Sequence, residues 1–126
     1  MMPEEQTVYV IDDDAAVRNS ICMVLETYGM SGRPYASGAA FLADLPGKHG
    51  CLLVDVDMPK MNGLELLDRL RGCGIAMPVI IMTGGLTARI REVADRTGAA
   101  LLRKPFRPGE LIAYIEKAFG RYRLED

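Results

Sequence analysis

The chain has 126 residues, of which 49% are hydrophobic and 25% charged, and a net charge of −2. That is one domain of ordinary size, able to bury a core without disulfides or a structural metal, and the composition excludes a disordered chain. With 15 basic and 17 acidic side chains there is no electrostatic ground for binding nucleic acid or an anionic membrane.

No apolar run reaches the roughly 20 residues a membrane helix needs. The opening MMPEEQTVYV lacks the basic and apolar regions of a signal peptide. Cys22, Cys51 and Cys73 are an odd set without CxxC spacing, so they read as free, buried thiols of a reducing cytoplasm. His49, in PGKHG, has no His or Cys nearby and reads as a surface-loop residue.

In chain order, TVYVI (7–11) is the first strand. A helix follows, with Asp14 placed to cap it, Val17, Ile21, Val24, Leu25 and Tyr28 on one face, and Gly29 to end it. A weaker strand lies near MSGRPY (30–35). Ser37 precedes a short second helix with Phe41, Leu42 and Leu45, ended by Pro46-Gly47. CLLV (51–54) is the third strand. Asn62 caps a third helix, with Leu64, Leu67 and Leu70 inward and Gly72 as its stop. PVIIM (78–82) is the fourth strand, and a helix over about 87–97 uses Ile90, Val93 and Ala94, with Glu92 and Arg96 one turn apart. AALL (99–102) is the fifth strand, and the last helix starts near Pro108, with Leu111, Ile112, Ile115 and Phe119 on one side.

The strand runs are continuously apolar, which implies burial on both faces. Alternating β and α segments with short connections predict an open, doubly wound parallel sheet of α/β class. One domain is expected over 6–120, with 121–126 (RYRLED) a tail or the start of a linker.

In such sheets ligands bind beyond the carboxyl ends of the strands. The first strand runs into Asp12-Asp13-Asp14, the third into Asp55 with Asp57 two residues on, the fourth into Thr83-Gly84-Gly85 and the fifth into Lys104-Pro105. Carboxylates brought together at one edge repel, and a hard divalent ion with oxygen ligands resolves the repulsion. A carboxylate, a metal, a lysine and a hydroxyl are the parts needed to bind and transfer a phosphoryl group, with Asp55 the nucleophile that forms an acyl phosphate. Blander readings exist for single residues. Asp14 is a helix cap, Asp12 and Asp13 can be caps too, the Asp57 side chain is turn chemistry, Thr83 can cap the next segment, Lys104 can be an ordinary surface lysine, and the eight methionines are core filler.

The motifs VIDDD, LLVDVDMPKMNG, IIMTGG and LRKPF, in this order and spacing, resemble the receiver domains of two-component response regulators over roughly residues 6–120. The resemblance implies a flavodoxin-like sheet of five strands in the order 2-1-3-4-5 with five helices. It implies that Asp55 accepts a phosphoryl group from a sensor histidine kinase or phosphotransfer protein. Asp12, Asp13, Asp55 and the backbone carbonyl of Asp57 would hold Mg²⁺ or Mn²⁺. Thr83 and Lys104 would meet the phosphoryl group, Thr83 acting as the switch, and Pro105 is the cis-proline candidate. Such a domain is cytoplasmic and catalyses only its own phosphorylation and dephosphorylation. Phosphorylation would change the face made by the fourth helix, fifth strand and fifth helix, a surface also open to homodimerisation. The TGG and KPF wording leans toward receivers of the FixJ type, which precede a DNA-binding domain, so a transcriptional output is expected outside this chain, which itself binds neither nucleic acid nor membrane.

Two positions depart from the pattern. Leu101 stands where many receivers carry an aromatic switch residue, and the Asp57 side chain adds negative charge near the acceptor. Two other readings compete. A DxD pair after an apolar strand, with a hydroxyl and a lysine later, is similar to haloacid dehalogenase-like phosphatases, although there the DxD pair comes first. A stand-alone or degenerate receiver serving only as an interaction module is the other.

Overall fold

Successive residues of each central strand face opposite cores. In the computed structural model, which describes residues 7–45, 50–58 and 61–120, the strands are β1 (Thr7–Ile11), β2 (Ser31–Tyr35), β3 (Cys51–Asp55), β4 (Val79–Thr83) and β5 (Ala100–Arg103). They form one parallel sheet in the order β2-β1-β3-β4-β5. The helices are α1 (Ala15–Thr27), α2 (Gly38–Asp44), α3 (Gly63–Gly72), α4 (Ala88–Thr97) and α5 (Pro108–Phe119).

Tyr9, Ile11, Leu52, Val54, Val79 and Ile81 point to one core, closed by Phe41 of α2, Leu64, Leu66, Leu67 and Leu70 of α3, and Ile90 and Val93 of α4. Val8, Val10, Cys51, Leu53, Ile80 and Met82 point to the other, closed by Ile21 and Leu25 of α1 and by Leu111, Ile112 and Ile115 of α5. The period of two along a strand, with apolar residues on both sides, is why the runs are continuous rather than alternating. β2 is an edge strand, half-buried at most, and accommodates Pro34, which has no N–H for a ladder.

The helix starts follow capping chemistry. Asp14 accepts from the N–H groups of Ala16 and Val17, Ser37 from Ala40, and Thr87 from Ile90. Asn62 and Glu65 form a reciprocal capping box at α3. The Glu92–Arg96 pair expected one turn apart on α4 is present at 3.0 Å.

Some local expectations are corrected. Tyr28 is exposed rather than facing the core, because α1 ends at Thr27 and Tyr28 is its cap. α3 does end at Gly72, but the left-handed turn beyond it is made by Gly74, at φ 78°, a conformation that only glycine adopts without strain. Leu45 is exposed just beyond α2, and Phe119 is only partly buried. Of the three thiols Cys51 is buried, Cys22 is half-buried and Cys73 is exposed. Pro46-Gly47, His49 and the 121–126 tail lie outside the described residues.

Candidate functional site

β1 ends where its hydrogen-bonded ladder ends, and Asp12 is the next residue. Its N–H donates to the Tyr35 carbonyl at 3.2 Å. Its own carbonyl accepts from Arg18 Nη1 at 2.7 Å, and its Oδ1 accepts from the Asp14 N–H at 2.9 Å. The side chain is buried, yet among the described residues its Oδ2 has no hydrogen-bond partner. Asp13 is exposed beside it, and Asp14 turns away to cap α1.

β3 delivers Asp55 to the same edge, 5% exposed. Its Oδ1 accepts from Lys104 Nζ at 3.1 Å and from the Asp57 N–H at 3.3 Å. The Asp57 side chain is exposed. α3 starts hard against this strand end. A Cβ on Gly63 would lie 2.8 Å from the Asp55 carbonyl oxygen, so glycine is what permits the approach.

Oxygens of Asp12, Asp13 and Asp55 lie within 4.8 Å of one another. Burial, and secondarily the charges of Asp55 and Asp13, push the Asp12 carboxyl above its ordinary range, against the pull of the Asp14 N–H and of Lys104. A buried, unpartnered carboxylate oxygen inside a cluster of hard oxygen donors is costly by itself and suits a small divalent cation such as Mg²⁺. The donor set therefore fits the metal expected from the sequence.

Thr83, the last residue of β4, is 1% exposed. Its hydroxyl donates to the Gly85 carbonyl at 2.5 Å and accepts from the Gly85 N–H at 3.2 Å. The Thr83 carbonyl accepts from the Lys104 N–H at 2.8 Å, which ties the ends of β4 and β5 together. The Lys104–Pro105 peptide bond is cis. Leu101 is set apart from this group. It is half-buried against the core shared by α3 and α4.

The fold thus brings Asp12, Asp13, Asp55 and Lys104 together, with Thr83 on the neighbouring strand end. Arg18 escaped the sequence reading. An arginine one turn into an amphipathic helix looks like surface charge, and no local pattern shows that it reaches back to the Asp12 carbonyl.

The family model for the response regulator receiver domain matches residues 8–116. The chain is 44% identical over 122 residues to the transcriptional regulatory protein FixJ of Azorhizobium caulinodans, covering 95% of this chain and 58% of that protein. A crystal structure of FixJ-N superposes with a TM-score of 0.85 at 34% identity, covering 95% of this chain and 96% of that one. Full-length FixJ from B. japonicum gives a TM-score of 0.83 at 38% identity, with 94% and 60% covered. The chain therefore spans less than two thirds of the length of these full-length regulators. The dehalogenase-like alternative is set aside, since family, sequence relatives and strand order all agree on the other reading. With five parallel strands in the order 2-1-3-4-5, this chain belongs to the response regulator receiver domains of FixJ type, a family of regulatory phosphoacceptors.

Proposed function

We propose that Asp55 is the phosphoacceptor, taking a phosphoryl group from a sensor histidine kinase or phosphotransfer protein. The observation that carries this is the buried Asp55 carboxylate paired with Lys104 inside the acidic cluster. Among the described residues both hydrogen bonds that Asp55 accepts fall on Oδ1, which leaves Oδ2 to attack phosphorus. A P–O bond forms to Oδ2, and the P–N bond of the donor breaks with its electron pair passing to the imidazole nitrogen.

Asp12, Asp13 and Asp55, with the Asp57 backbone carbonyl, would hold Mg²⁺ or Mn²⁺, which when bound neutralises charge on the transferring group. Lys104 keeps its ammonium where phosphoryl oxygens gather. Thr83 can exchange its bond to Gly85 for one to a phosphoryl oxygen, and the α4-β5-α5 face would report that exchange to a partner or to a second copy of the chain. In this role the domain turns over no substrate other than its own acyl phosphate. The longer relatives are named as transcriptional regulators, so we assign this receiver to control of a transcriptional output in the cytoplasm. Among the described residues no helix is long and apolar enough to cross a membrane.

Incubation with Mg²⁺ and a small phosphodonor tests the assignment by intact mass. One phosphoryl group should add to the wild type and none to Asp55→Asn. A gain that persists in the variant rejects Asp55.

A further inference from the structure

We infer that Arg18 is a positioning residue for the acidic pocket: its guanidinium fixes the peptide plane that joins the two carboxylates at the end of β1. The inference rests on the metal-assisted phosphoacceptor reading above. Arg18 Nη1 donates to the Asp12 carbonyl oxygen at 2.7 Å. That oxygen belongs to the Asp12–Asp13 peptide unit, which resonance keeps planar. Holding it restrains rotation of the whole unit, and so restrains the directions in which both acidic side chains leave the backbone.

The rest of the turn is restrained as well. The Asp12 N–H is held by Tyr35, Asp12 Oδ1 by Asp14, and the Arg18 N–H donates to the Asp14 carbonyl at 3.0 Å. Arg18 therefore braces the acidic turn with both its backbone and its side chain. What remains without a partner among the described residues is Asp12 Oδ2, the buried atom beside Asp13 and Asp55.

An arginine suits the position for a physical reason. β1 pairs with β3 only as far as Ile11, so the Asp12 carbonyl lies beyond that ladder and needs another donor. A charge-assisted bond from a planar guanidinium supplies it with a fixed direction. Arg18 makes no ion pair among the described residues. It leaves the neighbouring carboxylates unneutralised and so contributes geometry, while the pocket keeps its negative charge for a cation.

Calorimetric titration of Mg²⁺ into wild type, Arg18→Met and Arg18→Gln tests this. Loss of such a supporting contact should weaken Mg²⁺ affinity by about ten- to a hundredfold. Phosphorylation by a small phosphodonor should slow correspondingly at limiting Mg²⁺ and recover at saturating Mg²⁺. A purely structural brace would lower the melting temperature of the Mg²⁺-free protein and leave the Mg²⁺ dissociation constant unchanged, and that result overturns the inference. Arg18→Gln decides if Arg18→Met does not fold. A wild-type protein that binds no Mg²⁺ would instead overturn the phosphoacceptor reading itself.

Discussion

Lys104 Nζ stands 3.1 Å from Asp55 Oδ1 although 49 residues separate the two in sequence. The Asp55 side chain is 7% exposed and that of Lys104 35%, so the carboxylate is inside and the ammonium bridges to solvent. In Lys104→Met the carboxylate keeps, among the described residues, only the Asp57 N–H. An under-compensated buried charge should cost about 1–3 kcal/mol, read by urea denaturation without Mg²⁺. With Asp55 as the proposed acceptor, losing this cation should also slow phosphorylation by about a hundredfold or more, read by intact mass against time. Unchanged stability and rate would show that the contact is incidental.

Asp12 sets stability against the cation-binding role proposed for it. Its carboxyl titrates above the ordinary value of 3.8, chiefly because it is buried. For a carboxylate with a raised folded-state pKa the sign is unfavourable. Between the two values the folded protein holds the extra proton, so stability falls as pH rises through the window, and the full penalty persists at neutral pH. Asp12→Asn retains an oxygen for the Asp14 N–H and removes the charge. At pH 7 without divalent ions it should melt at a higher temperature than wild type, and the difference should fade below the unfolded-state value. Added Mg²⁺ should raise the wild-type melting temperature and do little for the variant. Thermal melts at two pH values, with and without Mg²⁺, check both parts.

Much of the fold was legible because the central strands must be apolar on both faces, and only a parallel sheet between helix layers demands that. The four polar strand ends were legible for the same reason. A buried strand that stops at Asp or Thr announces the edge where it emerges. What escaped was set by long-range contact. Tyr28 follows the helical spacing and is exposed because α1 has already ended at that point. Leu101 was singled out from its position relative to the lysine, and its packing against the α3 and α4 core could not be read from neighbours in sequence. Arg18 drew no expectation, since the carbonyl it serves belongs to a turn whose ladder ends one residue earlier.

Gly63 tests how tightly the α3 start is packed on the acceptor strand. An added methyl group would meet the Asp55 carbonyl oxygen at 2.8 Å and the Val56 Cα at 3.3 Å, both backbone atoms that cannot rotate aside. Gly63→Ala should therefore destabilise by about 1–3 kcal/mol through overpacking. It should also slow phosphorylation, since the atom that yields belongs to Asp55. Gly72→Ala has nothing within 4 Å of the new methyl and is the matched control. Its stability should stay at or slightly above wild type, as expected for alanine replacing glycine in a helix.

The thiols should separate by environment. Cys51 is fully buried on β3, and burial pushes its pKa up to about 12. The thiolate is the reactive form, so Cys51 should resist labelling in the folded protein. Cys73 is exposed at the end of α3 and should react first with a thiol-specific reagent. Cys22 is half-buried, with its pKa raised by burial, and should follow slowly. Labelling followed by peptide mass mapping checks the order, and rapid modification of Cys51 without denaturant would contradict its placement in the core.

Arg71 tests how α4 is fixed to the rest of the domain. Its Nη1 donates to the Ile75 and Met77 carbonyls at 2.9 and 3.0 Å, and its Nε donates to the Thr97 carbonyl at 3.1 Å. One guanidinium thus ties the α3–β4 connection to the last turn of α4, where carbonyls have no partners within the helix. Partial burial depresses its pKa without threatening its charge at neutral pH. Arg96, bonded to Asp68 at 3.2 Å, crosses from α4 to α3 as well, but that pair is half exposed and contributes little. Arg71→Met preserves the aliphatic stem and deletes the donors, so three carbonyls lose a charged partner. Stability should fall by about 2–3 kcal/mol in urea denaturation. Amide hydrogen exchange should quicken at the carboxyl end of α4 and around 75–77, while the amino end of α4, capped by Thr87, keeps its protection. Quickened exchange spread evenly over all of α4 would show that Arg71 supports the fold as a whole and does not anchor that end.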